Sequence, residues 1–269
     1  MRAAFGLMVF LAFCLGAGAP AARAATRSPY LEELTWTELR DALAHGTTTV
    51  IVPVGGTEQS GPHLALGKHN ARVKVLAGRI AAILGDTLVA PVVAYVPEGN
   101  ISPPTGHMRF PGTISVPVAA FEAVLEGAAE SLKQAGFTHI VLIGDHGGYQ
   151  TQLKKVADRL NHLWAMSRTR AHFIAAYYDA AQTAYVRALR AKGLSDAEIG
   201  THAGAADTSL ELAVDPAMVR RDGLAAAHGG NVGVSGDPRR ASAELGQLGV
   251  DLIIDETVAA IRKARLEKQ

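Results

Sequence analysis

The sequence predicts an α/β fold in which a mostly parallel sheet is covered by helices on both faces. Short apolar runs rich in β-branched residues alternate with longer amphipathic stretches, and no repeat or low-complexity linker interrupts the alternation. Strands separated by helices of this length need crossover connections, which are right-handed and place the helices on the faces of a parallel sheet. In such folds the functional groups gather at the carboxyl ends of the strands.

Each element is predicted from its own pattern. Four apolar runs are predicted to be strands, at residues 48–54, 87–95, 139–143 and 171–177. Three amphipathic stretches are predicted to be helices, at residues 70–84, 118–135 and 149–167. A last helix is predicted over residues 241–263, where apolar side chains recur near helical spacing. Two long connections rich in Gly or Pro, at 98–111 and 223–239, are typical of functional loops.

The first 24 residues have the features of a secretory signal peptide. Arg2 gives a positive start, residues 5–15 are apolar, and Ala22-Arg23-Ala24 forms an A-x-A cleavage site. We expect cleavage after Ala24 and a periplasmic or secreted protein with one domain over residues 25–269; an uncleaved N-terminal anchor is the alternative. The apolar run is too short to span a bilayer, so we expect no stable membrane insertion.

Composition excludes several classes of partner and ligand. The chain has 26 basic and 25 acidic residues without a basic stripe interleaved with aromatics, which argues against a nucleic-acid partner. Cys14 is the only cysteine and lies in the predicted signal peptide, so the mature chain is expected to have no disulfide and no thiol ligand. Composition alone indicates a soluble globular protein.

The first group of candidate site residues follows the first predicted strand. The loop after residue 54 carries Glu58, His63 and His69. A carboxylate and neutral imidazoles are good ligands for Zn²⁺ or Mn²⁺. Because the loop begins at the carboxyl end of a strand, the sequence predicts a metal site at this edge of the sheet.

Two further groups lie later in the chain. Asp145 and His146 directly follow the strand at 139–143, between glycines that let the backbone approach a ligand. His202 and Asp207 flank Gly204, and a turn at that glycine would bring both into one pocket. Each has a simpler interpretation: Asp145 as a turn residue, Asp207 as a helix cap, and either histidine as a hydrogen-bonding residue.

Five segments, in order along the chain, resemble the motifs of the creatininase (creatinine amidohydrolase) family. They are Gly55-Gly56-Thr57-Glu58-Gln59-Ser60-Gly61-Pro62-His63-Leu64, His107-Met108-Arg109-Phe110-Pro111-Gly112-Thr113, Asp145-His146-Gly147-Gly148, His202-Ala203-Gly204 with Asp207-Thr208-Ser209, and Gly236-Asp237-Pro238-Arg239-Arg240-Ala241. The resemblance covers roughly residues 32–264. It implies a three-layer α/β/α sandwich and a metal-dependent amidohydrolase, often with two divalent ions and often oligomeric, so a homo-oligomer is expected.

The resemblance also implies roles for single residues. Glu58 and His146 match metal ligands of the family, and His202 matches a histidine near the substrate that assists proton transfer. Asp207 stands where many members have a glutamate.

The sequence departs from the family pattern at three positions of the metal site. Ser60 replaces a histidine, His69 replaces a bridging aspartate, and Gly148 replaces a glutamate that is a ligand in creatininase. The remaining set, Glu58, His69 and His146, has the His₂Glu composition of catalytic zinc sites. We therefore expect one divalent cation, Zn²⁺ before Mn²⁺ or Fe²⁺, rather than two.

The expected reaction is hydrolysis of a C–N bond in a small, cyclic or linear amide. Asp145 or Asp207 would take a proton from water, His202 would protonate the leaving nitrogen, and His63 would orient the ligand loop. The loop at 103–111 is expected to close the pocket, with His107 or Arg109 near the substrate. Three alternatives remain open: an inactive exported binding protein on the same fold, an enzyme acting on another small carbonyl compound, and a structural subunit of a larger assembly. Creatinine itself is not the expected substrate, because the departures fall in the metal site.

Overall fold

The computed structural model describes residues 28–227 and 232–267. Its four strands are β1 (Thr49–Val54), β2 (Thr87–Val89), β3 (His139–Gly144) and β4 (Arg170–Phe173). All pairs are parallel, in the order β2–β1–β3–β4. The predicted signal peptide, with its cleavage site and Cys14, lies outside the described residues.

Nine α-helices occur within the described ranges. They are α1 (Trp36–Ala44), α2 (Lys68–Leu84), α3 (Val118–Ala135), α4 (Gln150–Leu163), α5 (Ala176–Gln182), α6 (Ala184–Ala191), α7 (Asp196–Ile199), α8 (Ala205–Val214) and α9 (Ala243–Leu266). None of them combines the length and apolarity needed to cross a bilayer.

The helices form two layers, one on each face of the sheet. Ile51 and Val141 point to the face covered by α2, α5, α6, α8 and α9. Val50, Val52 and Ile140 point to the opposite face, against α1, α3 and α4. The strands are apolar at consecutive positions because both faces of a parallel sheet are buried. The predicted three-layer α/β/α sandwich is confirmed.

Two predicted strands were too long. The second ends at Val89 rather than Tyr95, because Pro91 has no amide hydrogen for a ladder bond. Beyond it the chain forms an isolated bridge between Val93 and Val54. The fourth ends at Phe173, since the chain turns there into α5.

The register of the sheet positions the candidate site. Val54 at the end of β1 lies opposite Gly144 at the end of β3. The loop that carries Glu58 and the turn that carries Asp145 therefore leave the sheet at the same level, at its carboxyl edge, as the sequence predicted.

Candidate metal centre

The loop after β1 is tied to the start of α2. Asn70 accepts a hydrogen bond from the Gly56 amide at 2.9 Å. A Cβ at Gly55 would overlap the Asn70 side-chain oxygen, so only glycine permits this approach. The contact holds Glu58 on the loop beside His69 on the helix.

Glu58 lies at the centre of the site, with its side chain fully buried. Three groups surround its Oε1 atom: His69 Nε2 at 2.8 Å, Lys68 Nζ at 3.5 Å and His202 Nδ1 at 3.6 Å. Two surround Oε2: His146 Nε2 and His107 Nε2, each at 3.6 Å. Oε2 nevertheless has no hydrogen-bond partner among the described residues. Burial alone would raise the pKa of Glu58, but the hydrogen bond from His69 and the Lys68 charge outweigh it and hold that pKa far below its usual value. The result is a buried, ionised carboxylate with a free acceptor oxygen.

His69 is fixed between two carboxylates. Its Nδ1 lies 2.5 Å from Asp145 Oδ1 and its Nε2 points at Glu58. Burial and the Lys68 charge lower the pKa of His69, but its bonds to Asp145 and Glu58 raise it above the usual value. A histidine that donates one ring nitrogen to a carboxylate and offers the other to a cation is the usual arrangement of a metal ligand.

His146 completes the same face of the site. Burial, followed by the charge of His69, lowers its pKa to about 3, so the ring is neutral at physiological pH. Its Nδ1 accepts from the Gly148 amide at 3.2 Å and lies 3.6 Å from Glu98 Oε2. Ligation through Nε2 requires the ring hydrogen on Nδ1, where Glu98 is the acceptor within reach. Both oxygens of Glu98 are buried without a hydrogen-bond partner among the described residues.

Within residues 28–227 and 232–267, two groups have donor atoms close enough to share one cation. The first is Glu58, His69 and His146, which is the predicted set; the second is Glu58, His107 and His202. In the second group the Gln59 amide donates to His107 Nδ1 at 2.6 Å. That bond places the neutral ring's hydrogen on Nε2, the atom that faces Glu58. The predicted group is favoured because Asp145 lies 2.5 Å from the second ring nitrogen of His69, an arrangement typical of a metal-binding histidine.

A charged network lies behind the predicted ligands. Arg72 binds both oxygens of Asp145 through Nε, at 2.9 and 3.1 Å, and Asp207 Oδ1 through Nη1, at 3.1 Å. Lys68 Nζ lies 3.4 Å from Asp207 Oδ2. Burial would raise the pKa of Asp145, but Arg72 and His69 lower it to about 2. Lys68 and Arg72 hold the pKa of Asp207 well below its usual range in the same way. Both carboxylates are therefore ionised and engaged by cations.

His202 faces the centre from the other side. Its Nε2 lies 3.0 Å from the Gln59 carbonyl oxygen and 3.2 Å from the Gln59 side-chain nitrogen, and its Nδ1 lies 3.6 Å from Glu58 Oε1. The ring stacks on His107, with 4.1 Å between centroids. Burial and the Lys68 charge lower the pKa of His202 to about 4, so the ring is neutral and able to accept a proton.

A cavity of about 330 Å³ opens beside these groups. Its wall includes five of the predicted site residues with Lys68 and Arg72; the five are His69, Asp145, His146, His202 and Asp207. A second cavity of about 320 Å³ adjoins the first at His107 and His202, which line both. Volumes of this size suit small ligands.

The structure brings together five of the six predicted site residues at the cavity, and Glu58 lies directly behind its wall. The turn expected at Gly204 is present: Ala203 has φ of 55° and α8 begins at Ala205. His63, by contrast, is buried away from the centre and bonded to Thr208 Oγ1 at 2.9 Å.

Sequence reasoning did not identify Lys68, Arg72, Gln59 or Glu98. A lone lysine or glutamate is normally exposed, so the residue type alone does not indicate that Lys68 or Glu98 lies in a buried site. The position of Lys68 next to His69 was the only available indication.

The chain is similar in sequence to several known proteins. The family model for creatininase, described as creatinine amidohydrolase, matches residues 32–261. A mycofactocin precursor peptide peptidase from Mycolicibacterium smegmatis is 38% identical over 104 residues, which is 37% of this chain and only 39% of that protein. A creatinine amidohydrolase from Pseudomonas putida is 27% identical over 200 residues, covering 73% of this chain and 76% of that one. A mycofactocin precursor peptide peptidase from Mycobacterium ulcerans is 28% identical over 271 residues, covering 88% and 93%.

Solved structures share the fold. A crystal structure of creatinine amidohydrolase aligns with a TM-score of 0.73 at 24% identity, covering 90% of this chain and 100% of that one. Others with the same fold are described as "Creatininase Mn" and, for a mutant, as "Zn-Zn type".

Proposed function

The chain belongs to the creatininase family, and from that premise we propose that it is a metal-dependent hydrolase cleaving the C–N bond of an amide. One observation carries the proposal. Glu58, His69 and His146 converge behind the cavity, with a buried carboxylate oxygen that lacks a hydrogen-bond partner among the described residues. Two imidazoles and one carboxylate are the ligand set of many catalytic zinc sites.

The proposed cofactor is a single divalent cation, Zn²⁺ before Mn²⁺ or Fe²⁺. Such a cation polarises the amide carbonyl and lowers the pKa of a water molecule to about 7. Asp145 keeps the His69 ring in the ligating orientation through their 2.5 Å contact. The "Zn-Zn type" and "Creatininase Mn" relatives make these metals reasonable first choices.

We assign proton transfer to His202. Its Nδ1 lies 3.6 Å from Glu58 Oε1, its ring is neutral, and its side chain reaches the cavity; with the ring hydrogen on Nε2, Nδ1 can accept a proton. The same nitrogen can take a proton from the attacking water and pass it to the leaving nitrogen. Asp145 and Asp207, the proton acceptors that the sequence suggested, are held by Arg72 with lowered pKa values and are therefore weak bases. Their proposed role is to hold the cations of the network.

The substrate has room to extend in two directions. The two cavities adjoin at the His107–His202 pair, so an amide at the centre could carry a group in each. A peptide bond is such an amide, and two relatives are named as peptidases of a precursor peptide. We therefore include short peptides with cyclic and linear amides as candidate substrates.

The proposal also includes export and self-association, and neither depends on the metal centre. The features of residues 1–24 support a periplasmic or secreted location, and the family resemblance supports a homo-oligomer. Fractionation of cells that express the full chain, and light scattering on the purified protein, test the two points separately.

The experiment is a hydrolysis screen on purified protein loaded with Zn²⁺ or Mn²⁺. Glu58→Gln and His146→Ala should lose both bound metal and activity. His202→Gln should keep the metal and lose about 10²–10⁴-fold in kcat, the usual contribution of a proton-transfer group. His162→Ala, an exposed histidine on α4, is the matched control and should change neither. Full activity in Glu58→Gln would contradict the assignment, and metal binding without turnover of any amide would favour the inactive binding protein.

A further inference from the structure

The wall of the cavity beside the metal centre has a charged part and an apolar part. The charged part carries the ion pairs of Lys68, Arg72, Asp145 and Asp207. The apolar part consists of aliphatic side chains from α5, α6, α7, α8 and α9, none of which the metal centre uses. They are Ala181, Val186, Ile199, Ala206, Leu210 and Ile253.

The aliphatic side chains of the wall belong to one hydrophobic cluster. Ile199, Leu210 and Ile253 are buried members of that cluster, and the other three pack against it. The apolar part is therefore a face of the helix layer rather than a set of scattered side chains. A space with such a wall holds water poorly and favours an apolar occupant.

Helix α8 joins the two parts of the wall. Asp207 and Leu210 are three residues apart, so they lie on one face of the helix, about 5 Å from each other along its axis. Asp207 is paired with Lys68 and Arg72. Leu210 instead meets α9 where Gly249 permits a close approach, because a Cβ there would lie 2.7 Å from the leucine. An aliphatic group in the apolar part is thus within reach of a carbonyl at the centre.

Tyr177 forms a second junction between the two parts. Its hydroxyl donates to Asp145 Oδ2 at 2.7 Å, and its side chain is buried in the same hydrophobic cluster. The residue that keeps His69 in place is therefore anchored to the apolar layer, and the two parts belong to one continuous wall.

The position of His202 indicates which end of an amide faces the apolar part. This histidine, the proposed proton donor to the leaving nitrogen, lines the second cavity as well as the first, together with His107. A leaving amine beside His202 therefore has the second cavity next to it. The acyl group then extends into the rest of the first cavity, where the aliphatic side chains lie.

We propose that the apolar part of the first cavity binds an aliphatic group on the acyl side of the scissile amide, so that the enzyme prefers amides with an aliphatic acyl group. This inference rests on the proposed function and names its substrate class. Hydrolysis breaks the C–N bond, adds the hydroxyl of water to the acyl carbon and its hydrogen to the nitrogen, and releases an aliphatic acid and an amine.

Hydroxamic acids test the site without turnover, because they combine a metal-chelating head group with an acyl tail of chosen length. Zn²⁺-loaded protein is titrated by calorimetry with acetohydroxamate, butanohydroxamate and hexanohydroxamate, which differ by two methylene groups at each step. We expect the affinity to rise roughly 10–20-fold per step, at about fourfold per buried methylene group. β-Alanine hydroxamate, which has the length of butanohydroxamate but ends in an ammonium group, should bind no better than acetohydroxamate.

Variants that fill the apolar part test its location. Val186→Phe should bind acetohydroxamate as the wild type does and hexanohydroxamate about tenfold or more weakly than the wild type, because the ring takes the space of the tail. Ala181→Leu, on the neighbouring helix, should act in the same way and serves if Val186→Phe does not fold. Val124→Phe makes the matched substitution at an exposed valine of α3, in the opposite helix layer, and should bind the whole series as the wild type does. Circular dichroism checks folding.

The outcomes separate this inference from the proposed function. Equal affinity along the tail series, or an undiminished gain from the tail in the folded filling variants, would overturn the acyl site and leave the metal centre standing. Failure of every hydroxamate to bind would also overturn the acyl site. Metal analysis of the same sample would then tell whether the metal centre, and with it the proposed function, fails too.

Discussion

At the scale of single residues, the two oxygens of Glu58 have different surroundings. Oε1 is bonded to His69 and lies near Lys68, while Oε2 faces two histidine nitrogens without a hydrogen bond. An acceptor left unpaired in a buried site costs about 1–3 kcal/mol. Oε2 is the atom of Glu58 that would gain most from a bound cation, because the cation would supply the partner that it lacks.

Glu98 is expected to support the His146 ligand from behind. Its Oε2 lies 3.6 Å from His146 Nδ1, and burial together with the Glu58 charge raises the pKa of Glu98 to about 8. Replacing the carboxylate behind a metal-ligating histidine typically costs 10–100-fold in metal affinity. We expect Glu98→Ala to weaken Zn²⁺ binding within that range, as measured by competition with a chromophoric chelator.

The matched control is Glu130→Ala, which removes a glutamate far from the centre, bonded to Trp164. Equal Zn²⁺ affinity in Glu98→Ala and the wild type would show that Glu98 does not support the His146 ligand.

The candidate metal ligands could be predicted from the sequence, but the buried residues that contact them could not. Glu58, His69 and His146 follow strand ends, and the ends of parallel strands meet at one edge. The structure brings these three together, and their role in metal binding stays a prediction. Lys68 and Glu98 have no such signature, because only the packed structure reveals that they are buried.

At the scale of elements, helix ends were predicted where sequence marks them. The helix expected at 118–135 has those bounds, and it ends at Gly136, whose φ of 118° few other residues tolerate. Helix α1 was not predicted, although Thr35 and Glu38 form a capping box that marks its N-terminus. Helices α5 to α7 have four to eight residues each, too few for a periodic pattern to appear.

Helix α8 carries a glutamate that makes stability depend on pH. Glu211 is fully buried, and neither of its oxygens has a hydrogen-bond partner among the described residues. Burial raises its pKa from 4.5 to about 8. The folded state therefore holds a proton that the unfolded state releases, so the free energy of unfolding falls as pH rises from about 4.5 to about 8.

Replacing Glu211 by glutamine should remove this dependence. The amide has the same shape and no charge, so we expect Glu211→Gln to match the wild type near pH 5 and to be more stable near pH 8.5. The gain should be on the order of a few kcal/mol, or several degrees in Tm. Thermal melts at both pH values check it, with exposed Glu256→Gln as the control. A Tm difference that is the same at both pH values would contradict the expectation.

At the scale of the whole molecule, the metal centre joins parts of the chain that are far apart in sequence. Glu58 follows β1, His69 begins α2, His146 follows β3, and Asp207 reaches the same network from α8. The layered fold was predictable because strand and helix periods alternate along the whole chain. The network was not, because it depends on how the helices of one layer pack. A cation bound at Glu58 should therefore stabilise the folded chain as a whole.

That stabilisation can be measured as a shift in melting temperature. A ligand at 100 times its Kd that binds only the folded state adds about 2.7 kcal/mol, which corresponds to roughly 5–10 °C for a domain of this size. We expect Zn²⁺ to raise the Tm of metal-free wild type by that amount and a chelator to reverse it. Glu58→Gln should lose the shift, because the substitution removes the charge of the central ligand, whereas Lys74→Ala, which removes a lysine paired with Glu32 at the surface, should keep it. A full shift in Glu58→Gln would place the stabilising ion elsewhere on the chain and separate metal binding from the cavity.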